Sequence, residues 1–178
     1  NLPWLLLGTA HTGLFSVVRT VERESSFQWV GPILRGSTRF YSLKASGLQI
    51  DSLEQAAHAG TLALPKQWYT YESLERMGFT NLYGVPSAKQ MVTMLKHGRV
   101  KLIATEDLTL REELASGGLT PEEVQGHLAF MESDYYIAFS PRTSPNLVMQ
   151  WQRQLDGMRQ DGSLDAIRQR WLPQATAP

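Results

Sequence analysis

The 178-residue chain contains no cysteine. That excludes disulfides, thiolate-ligated zinc and cysteine nucleophiles, and it leaves the compartment open. Charge of one sign is also lacking: Lys plus Arg and Asp plus Glu both number 17. A balanced chain with no basic block argues against nucleic acid as the main partner. No apolar run reaches the length of a membrane-spanning helix. Residues 1–18 are apolar (Leu2, Trp4, Leu5, Leu6, Leu7, Leu14, Phe15). A signal peptide needs a basic start and a small-residue cleavage site. Apart from His11, the first basic residue is Arg19, so the stretch reads as folded protein, with any export signal outside this sequence.

Chemical signatures are sparse as well. His11, His58, His97 and His127 have neither metal-ligand spacing nor an Asp or Cys companion. There is no G-x-S-x-G, phosphate loop or dinucleotide fingerprint. No cofactor is implied. Glu106 is the one acid that a hydrolase reading could name as a general acid, and without a catalytic constellation around it the chain does not read as an enzyme.

What is present is a core. Hydrophobic residues make up 42% and charged residues 19%, which suits one large domain or two small lobes. Residues 14–18, 27–30 and 38–43 read as strands, the second closed by Gly31-Pro32. The middle is clearest. Apolar runs at 61–64, 80–83 and 100–104 alternate with helical stretches at 70–77 (Thr70 as N-cap, Gly78 as stop) and after Ser87. Ser87 and Gln90 form a capping box, and Gly98 sits at C′. This β-α-β-α-β pattern with short links predicts a parallel sheet. Thr109 with Glu112, and Thr120-Pro121 with Glu123, read as two further helix starts. Residues 126–131 and 135–140 look extended. Ser144-Pro145 opens a long helix whose stripe is Leu147, Val148, Trp151, Leu155 and Met158. Asp161-Gly162 ends it, and a last helix runs from Ser163 to Pro173. Trp151 and Trp171 are expected in the core or at helix-docking positions.

Three stretches carry a resemblance. They are Ser16-Val17-Val18-Arg19-Thr20-Val21-Glu22-Arg23 with Phe27 and Gly31-Pro32; His97-Gly98-Arg99-Val100-Lys101-Leu102-Ile103-Ala104; and Tyr136-Ile137-Ala138-Phe139-Ser140 through Trp151, Asp161-Gly162 and Trp171-Leu172-Pro173. Over residues 14–173 the chain resembles the extracellular solute-binding family 3 proteins of polar amino-acid ABC transporters. The resemblance implies an α/β, two-lobed periplasmic-binding-protein-like (type II) architecture. Lobe 2 would be residues 44–134, and lobe 1 would be residues 1–43 and 135–178, with two extended crossings near 42–48 and 129–137. It implies a periplasmic protein that clamps a small polar ligand, an amino acid or a close relative, for an ABC transporter permease. A sensor or accessory domain of the same fold is the alternative.

By the same resemblance Arg23 grips the ligand carboxylate and Glu106 meets its amino group, with Asp107 as the neighbouring alternative. Trp68, Tyr69 and Tyr71 would form a wall; ordinary packing of amphipathic aromatics is the other reading of all three. Where the family tends to carry a Gly-Ser/Thr pair at the start of the first lobe 2 helix, this chain has Gln67-Trp68-Tyr69. The family's N-terminal portion of lobe 1 has no counterpart here, so lobe 1 is expected to be incomplete. Phe15, Val17, Tyr136, Ile137 and Phe139 would then face water, and the protein would self-associate through that lobe.

Overall fold

A computed structural model describes residues 9, 11–21 and 23–172. The apolar residues Leu2 to Leu7 and the tail from Pro173 lie outside them. The chain runs β1 (Gly13–Val18), β2 (Gln28–Leu43), α1 (Leu53–His58), β3 (Leu62–Pro65), α2 (Tyr69–Arg76), β4 (Leu82–Val85), α3 (Ala88–Lys96), β5 (Leu102–Glu106), α4 (Leu110–Gly117), β6 (Val124–Phe139), α5 (Pro145–Gln160) and α6 (Ser163–Trp171). It divides into a first unit, residues 1–36 with 132–178, and a second, Ser37–Met131. β2 and β6 each contribute residues to both units, and the strand order is β1-β6-β2-β5-β3-β4. Packing is what divides the chain. One buried cluster lies wholly within the second unit, and two smaller ones lie within the first.

In the second unit β3 pairs in parallel with β4 and with β5, and β2 lies antiparallel to β5. All four residues of β3 are buried, as are the first four of β5. Their uninterrupted apolar runs therefore reflect cover on both faces, the usual condition of parallel strands. Leu62, Leu64, Leu74, Met91, Leu102, Ile103 and Leu114 are fully buried, each stabilising by about 1.5–3 kcal/mol. The Ser87 hydroxyl accepts from the Gln90 amide at 3.3 Å, starting α3. Gly98, at φ +66°, ends it, with its amide on the Leu95 carbonyl.

Several boundaries differ from expectation. α2 begins one residue early, with Trp68 as N-cap in place of Thr70. Thr109 does not cap α4, because its hydroxyl turns back to the Glu106 carbonyl. Thr120 and Glu123 do form a capping box, but it encloses a single 3-10 turn before β6. Residues 126–131 and 135–140 are parts of one 16-residue strand. Gly31-Pro32 does not close its strand. β2 continues past it because α5 answers the polar groups there: the Gly31 amide donates to Gln152 Oε1 at 3.0 Å, and Arg159 donates to the Pro32 carbonyl.

In the first unit β1 pairs antiparallel with β6, Leu14 opposite Ala138 and Val17 opposite Tyr136. The register shifts between Leu14 and Val17, where Ser16 takes φ +60°. Val17, Ile137 and Phe139 are buried, against expectation. Val17 packs with Phe27 and Ala138, whereas Ile137 and Phe139 pack under Val148, Leu155 and Leu164 of the two C-terminal helices. Tyr136 is half-buried. Phe15 remains 57% exposed, touching Trp151 edge-on. Trp151 and Trp171 also depart from expectation, at 41% and 69% exposed. Trp151 lies on the rim of its helix face, against the Phe15 and Phe139 rings, and the Arg170 guanidinium lies over the Trp171 ring.

Candidate functional site

In the second unit the candidate groups gather at the carboxyl ends of the parallel strands, the position where open α/β sheets bind ligands. β3 ends at Pro65 and turns through Lys66 and Gln67 into α2. The turn is tied down by the Lys66 amide on the Val85 carbonyl and by Gln67 Nε2 on the Pro86 carbonyl, both 3.0 Å. Trp68 and Tyr71 are half-buried and pack on the core. Tyr69 is the outward member of the three, 66% exposed, with the Arg76 guanidinium 5.4 Å from its ring.

Glu106 is the last residue of β5, half-buried, and its backbone pairs opposite Thr38. Asp107 is buried and already engaged. Its Oδ1 accepts from the Ser37 amide, and its own amide donates to the Ser37 carbonyl, both at 3.0 Å. Burial pushes the Asp107 carboxyl above its usual range, against the pull of its backbone hydrogen bonds and Arg39. Of the two adjacent acids, Asp107 holds the start of the second unit's β2 segment, and Glu106 closes β5 beside it.

Around these lies a polar layer that sequence reasoning missed. The Thr105 hydroxyl donates to Glu113 at 2.5 Å, and burial raises the Glu113 carboxyl. Arg39 donates to the His127 carbonyl at 3.2 Å, and His127 Nε2 meets the Ser42 hydroxyl. Tyr41 is pushed up to about 12, first by burial and then by Asp107. Thr105 and Glu113 are 8 residues apart, whereas Arg39 and Ser42 meet His127 across 88 and 85 residues and leave no local pattern. Ser42 is fully buried, and its contact with His127 satisfies a buried hydroxyl.

In the first unit Arg23 stands in the turn after β1. It is exposed, and its Nη1 donates to the Val18 carbonyl at 3.4 Å. The turn is fastened by Arg19, which sequence reasoning passed over. Arg19 Nε bonds Glu24 Oε2 at 2.6 Å, Nη2 bonds Oε1, and the guanidinium lies 5.3 Å from the Tyr136 ring and 5.8 Å from that of Trp29. The hydrogen bond with Glu24 raises Arg19 and lowers Glu24.

A shallow depression of about 370 Å³ lies along α5, lined by Leu147, Gln150, Trp151 and Gln154. None of the sequence-derived candidates borders it. Among the described residues there is no cluster of metal-ligating side chains, and no helix is long and apolar enough to cross a membrane.

No protein-family model matches the sequence, and no curated protein matches it. Solved structures do. A histidine kinase sensor domain with similarity to periplasmic binding proteins aligns with a TM-score of 0.70 at 17% identity, covering 93% of this chain and 71% of its own. A protein from Wolinella succinogenes, assigned as a binding component of an ABC transporter and complexed with lysine, aligns at 0.68 and 16%, covering 88% and 67%. An ancestral arginine-binding protein bound to arginine aligns at 0.62 and 17%, covering 88% and 69%. The fold of this chain is that of the periplasmic-binding-protein-like proteins, and the chain spans about 70% of the length of these structures.

Proposed function

We propose that this chain is a binding module for a small polar ligand, an amino acid or a close relative, and acts without a cofactor. The observation that carries the reading is Glu106, a half-buried carboxylate at the carboxyl end of a buried parallel strand, in a fold shared with proteins solved with lysine and arginine. Arg23 is the complementary group, a two-pronged guanidinium for an α-carboxylate. Tyr69 is the aromatic that offers an open face to ligand, with Trp68 and Tyr71 supporting it from the core.

Periplasmic capture for an ABC transporter permease is the transport form of this reading. The sensor form has a specific observation behind it, the 93% coverage of this chain by a histidine kinase sensor domain. What the gene encodes beyond this segment separates the two: a kinase in one case, a neighbouring permease in the other. Self-association through the first unit also belongs to the reading. With Val17, Ile137 and Phe139 buried, it rests on Phe15, Met149 and Trp151, which stay exposed.

A thermal-shift screen against the common amino acids tests the proposal, because a ligand that binds only the native state raises apparent stability. A concentration-dependent rise in melting temperature with one or a few amino acids is expected. A flat response to all of them at millimolar concentration overturns it.

A further inference from the structure

We infer that Arg19 keeps Arg23 available to an anionic ligand by holding the Glu24 carboxylate away from it, so that Arg19 is a positioning residue for the site. The inference rests on the reading of Arg23 as the carboxylate-binding group. The geometry begins with chain order. Arg23 and Glu24 are adjacent, both exposed, and opposite in charge. A free Glu24 side chain is thus the nearest described acid in sequence to the Arg23 guanidinium, and it carries the same chemical group as the ligand's carboxylate. Left to itself it would occupy Arg23 in competition with ligand.

In the structure Glu24 is taken up elsewhere. Both of its oxygens are bonded by Arg19, through Nε at 2.6 Å and through Nη2. This is the fork geometry that a guanidinium provides and an ammonium does not. Arg19 is in turn held over the Tyr136 and Trp29 rings, at 5.3 and 5.8 Å. Trp29 Nε1 donates to the Glu24 carbonyl at 3.2 Å, fixing the same residue through its backbone. Arg23, by contrast, makes one long side-chain bond among the described residues, 3.4 Å to the Val18 carbonyl, and its backbone is set by the turn: its amide bonds the Thr20 carbonyl, and its carbonyl accepts from the Ser26 amide, both at 3.0 Å. The turn therefore points two adjacent opposite charges at different partners. One is satisfied within the protein, and the other keeps most of its donors unengaged by the described residues.

The test uses Arg19→Gln, Glu24→Gln and the double variant, with L-arginine and L-glutamate as calorimetric probes and their α-carboxamides as controls. Arg19→Gln is expected to weaken the carboxylate probe that binds by about three- to fivefold, the scale of one exposed ion pair, and to leave its carboxamide unchanged. Adding Glu24→Gln to Arg19→Gln should restore most of the affinity. If the double variant binds no better than Arg19→Gln, or if both probe forms weaken equally, the loss came from a disturbed turn and the inference is overturned. A second arm needs no ligand. In Arg19→Gln the Arg23 Nε–H resonance should follow the titration of Glu24, whereas in the unsubstituted protein it should not. Failure of that shift to appear overturns the inference by itself. Failure of every amino acid to bind the unsubstituted protein overturns the proposed function, while the resonance still decides whether Arg19 holds Glu24 off Arg23.

Discussion

The Ser42 hydroxyl and the Nε2 of His127 stand 2.8 Å apart in the second unit, and both side chains are buried. Burial lowers the imidazole below its ordinary pKa, with Asp51 pulling weakly the other way. The folded protein therefore binds fewer protons at this position than the unfolded chain across the window below about pH 6.5. The stability held by neutral His127 is full above that value and is lost as pH falls through the folded pKa. Urea unfolding at pH 7.5 and pH 5.0 should show the protein less stable at the lower pH, and His127→Asn should reduce the difference.

Asp107 has the opposite sign. Its folded pKa is raised, chiefly by burial, so the ionised form carries a cost that grows as pH rises above the unfolded value near 4. Asp107→Asn keeps an oxygen for the Ser37 amide, so its stability should change least at low pH and compare most favourably with the parent near neutrality. Asp107→Ala removes the acceptor from a buried amide and should cost about 1–3 kcal/mol in denaturant titrations.

Two glycines in helices make a matched pair. A Cβ on Gly117 in α4 would stand 2.4 Å from Val92 Cγ1 and 2.5 Å from Val92 Cβ, whereas one on Gly157 in α5 would meet nothing within 4 Å. Helix propensity favours alanine over glycine by about 1 kcal/mol at both positions. Overpacking against a buried β-branched side chain costs about 1–3 kcal/mol, so it outweighs propensity at Gly117. Gly157→Ala should raise the melting temperature and Gly117→Ala should lower it.

For the proposed site, Arg23→Ala should weaken amino-acid binding by about 1.5–3 kcal/mol, the scale of a hydrogen bond to a charged group. Glu106→Gln should act more strongly on ligands with a free amino group than on their deaminated analogues. Calorimetry with one such pair measures both effects, and equal affinity in parent and variants would remove these residues from the site.

Self-association should depend on the exposed aromatics. Light scattering coupled to size-exclusion chromatography at micromolar concentration is expected to show a mass above the monomer. Phe15→Ser should shift it down, since Phe15 rests on Trp151 at the surface.

The β3-to-β5 stretch was the most legible part of the chain, because each element there carries its own signal. The strands are short apolar runs, Ser87 starts a helix with its side chain, and Gly98 stops it with a positive φ. Boundaries moved by a residue or two, since a run of apolar residues does not mark where hydrogen bonding begins. Long-range effects were hidden. That β2 would pass through Gly31-Pro32 depends on Gln152 and Arg159, over a hundred residues away. That Ile137 and Phe139 would be covered depends on how α5 and α6 fold back over the strands, and that Val17 would be covered depends on its packing with Phe27 and Ala138. In the candidate site, Arg23 and Glu106 came from motif likeness and strand position. Arg19 escaped notice because one of its ring partners, Tyr136, comes from the far end of the chain.

The interruption of the first unit by the second sets an order of events during synthesis. Gly13 pairs with Phe139 and Val18 with Tyr135, so β1 emerges from the ribosome long before its partner strand exists. Residues 37–131 form an unbroken stretch of sequence with their own buried cluster, and they can complete most of their contacts first. Closing the first unit then means joining segments more than a hundred residues apart, the kind of contact that slows folding. Pulse-labelling hydrogen exchange during refolding should find amides of β3 and β5 protected before those of β1, and a nascent chain halted once Met131 has cleared the ribosome exit tunnel should already resist protease across the second unit while β1 remains open to it.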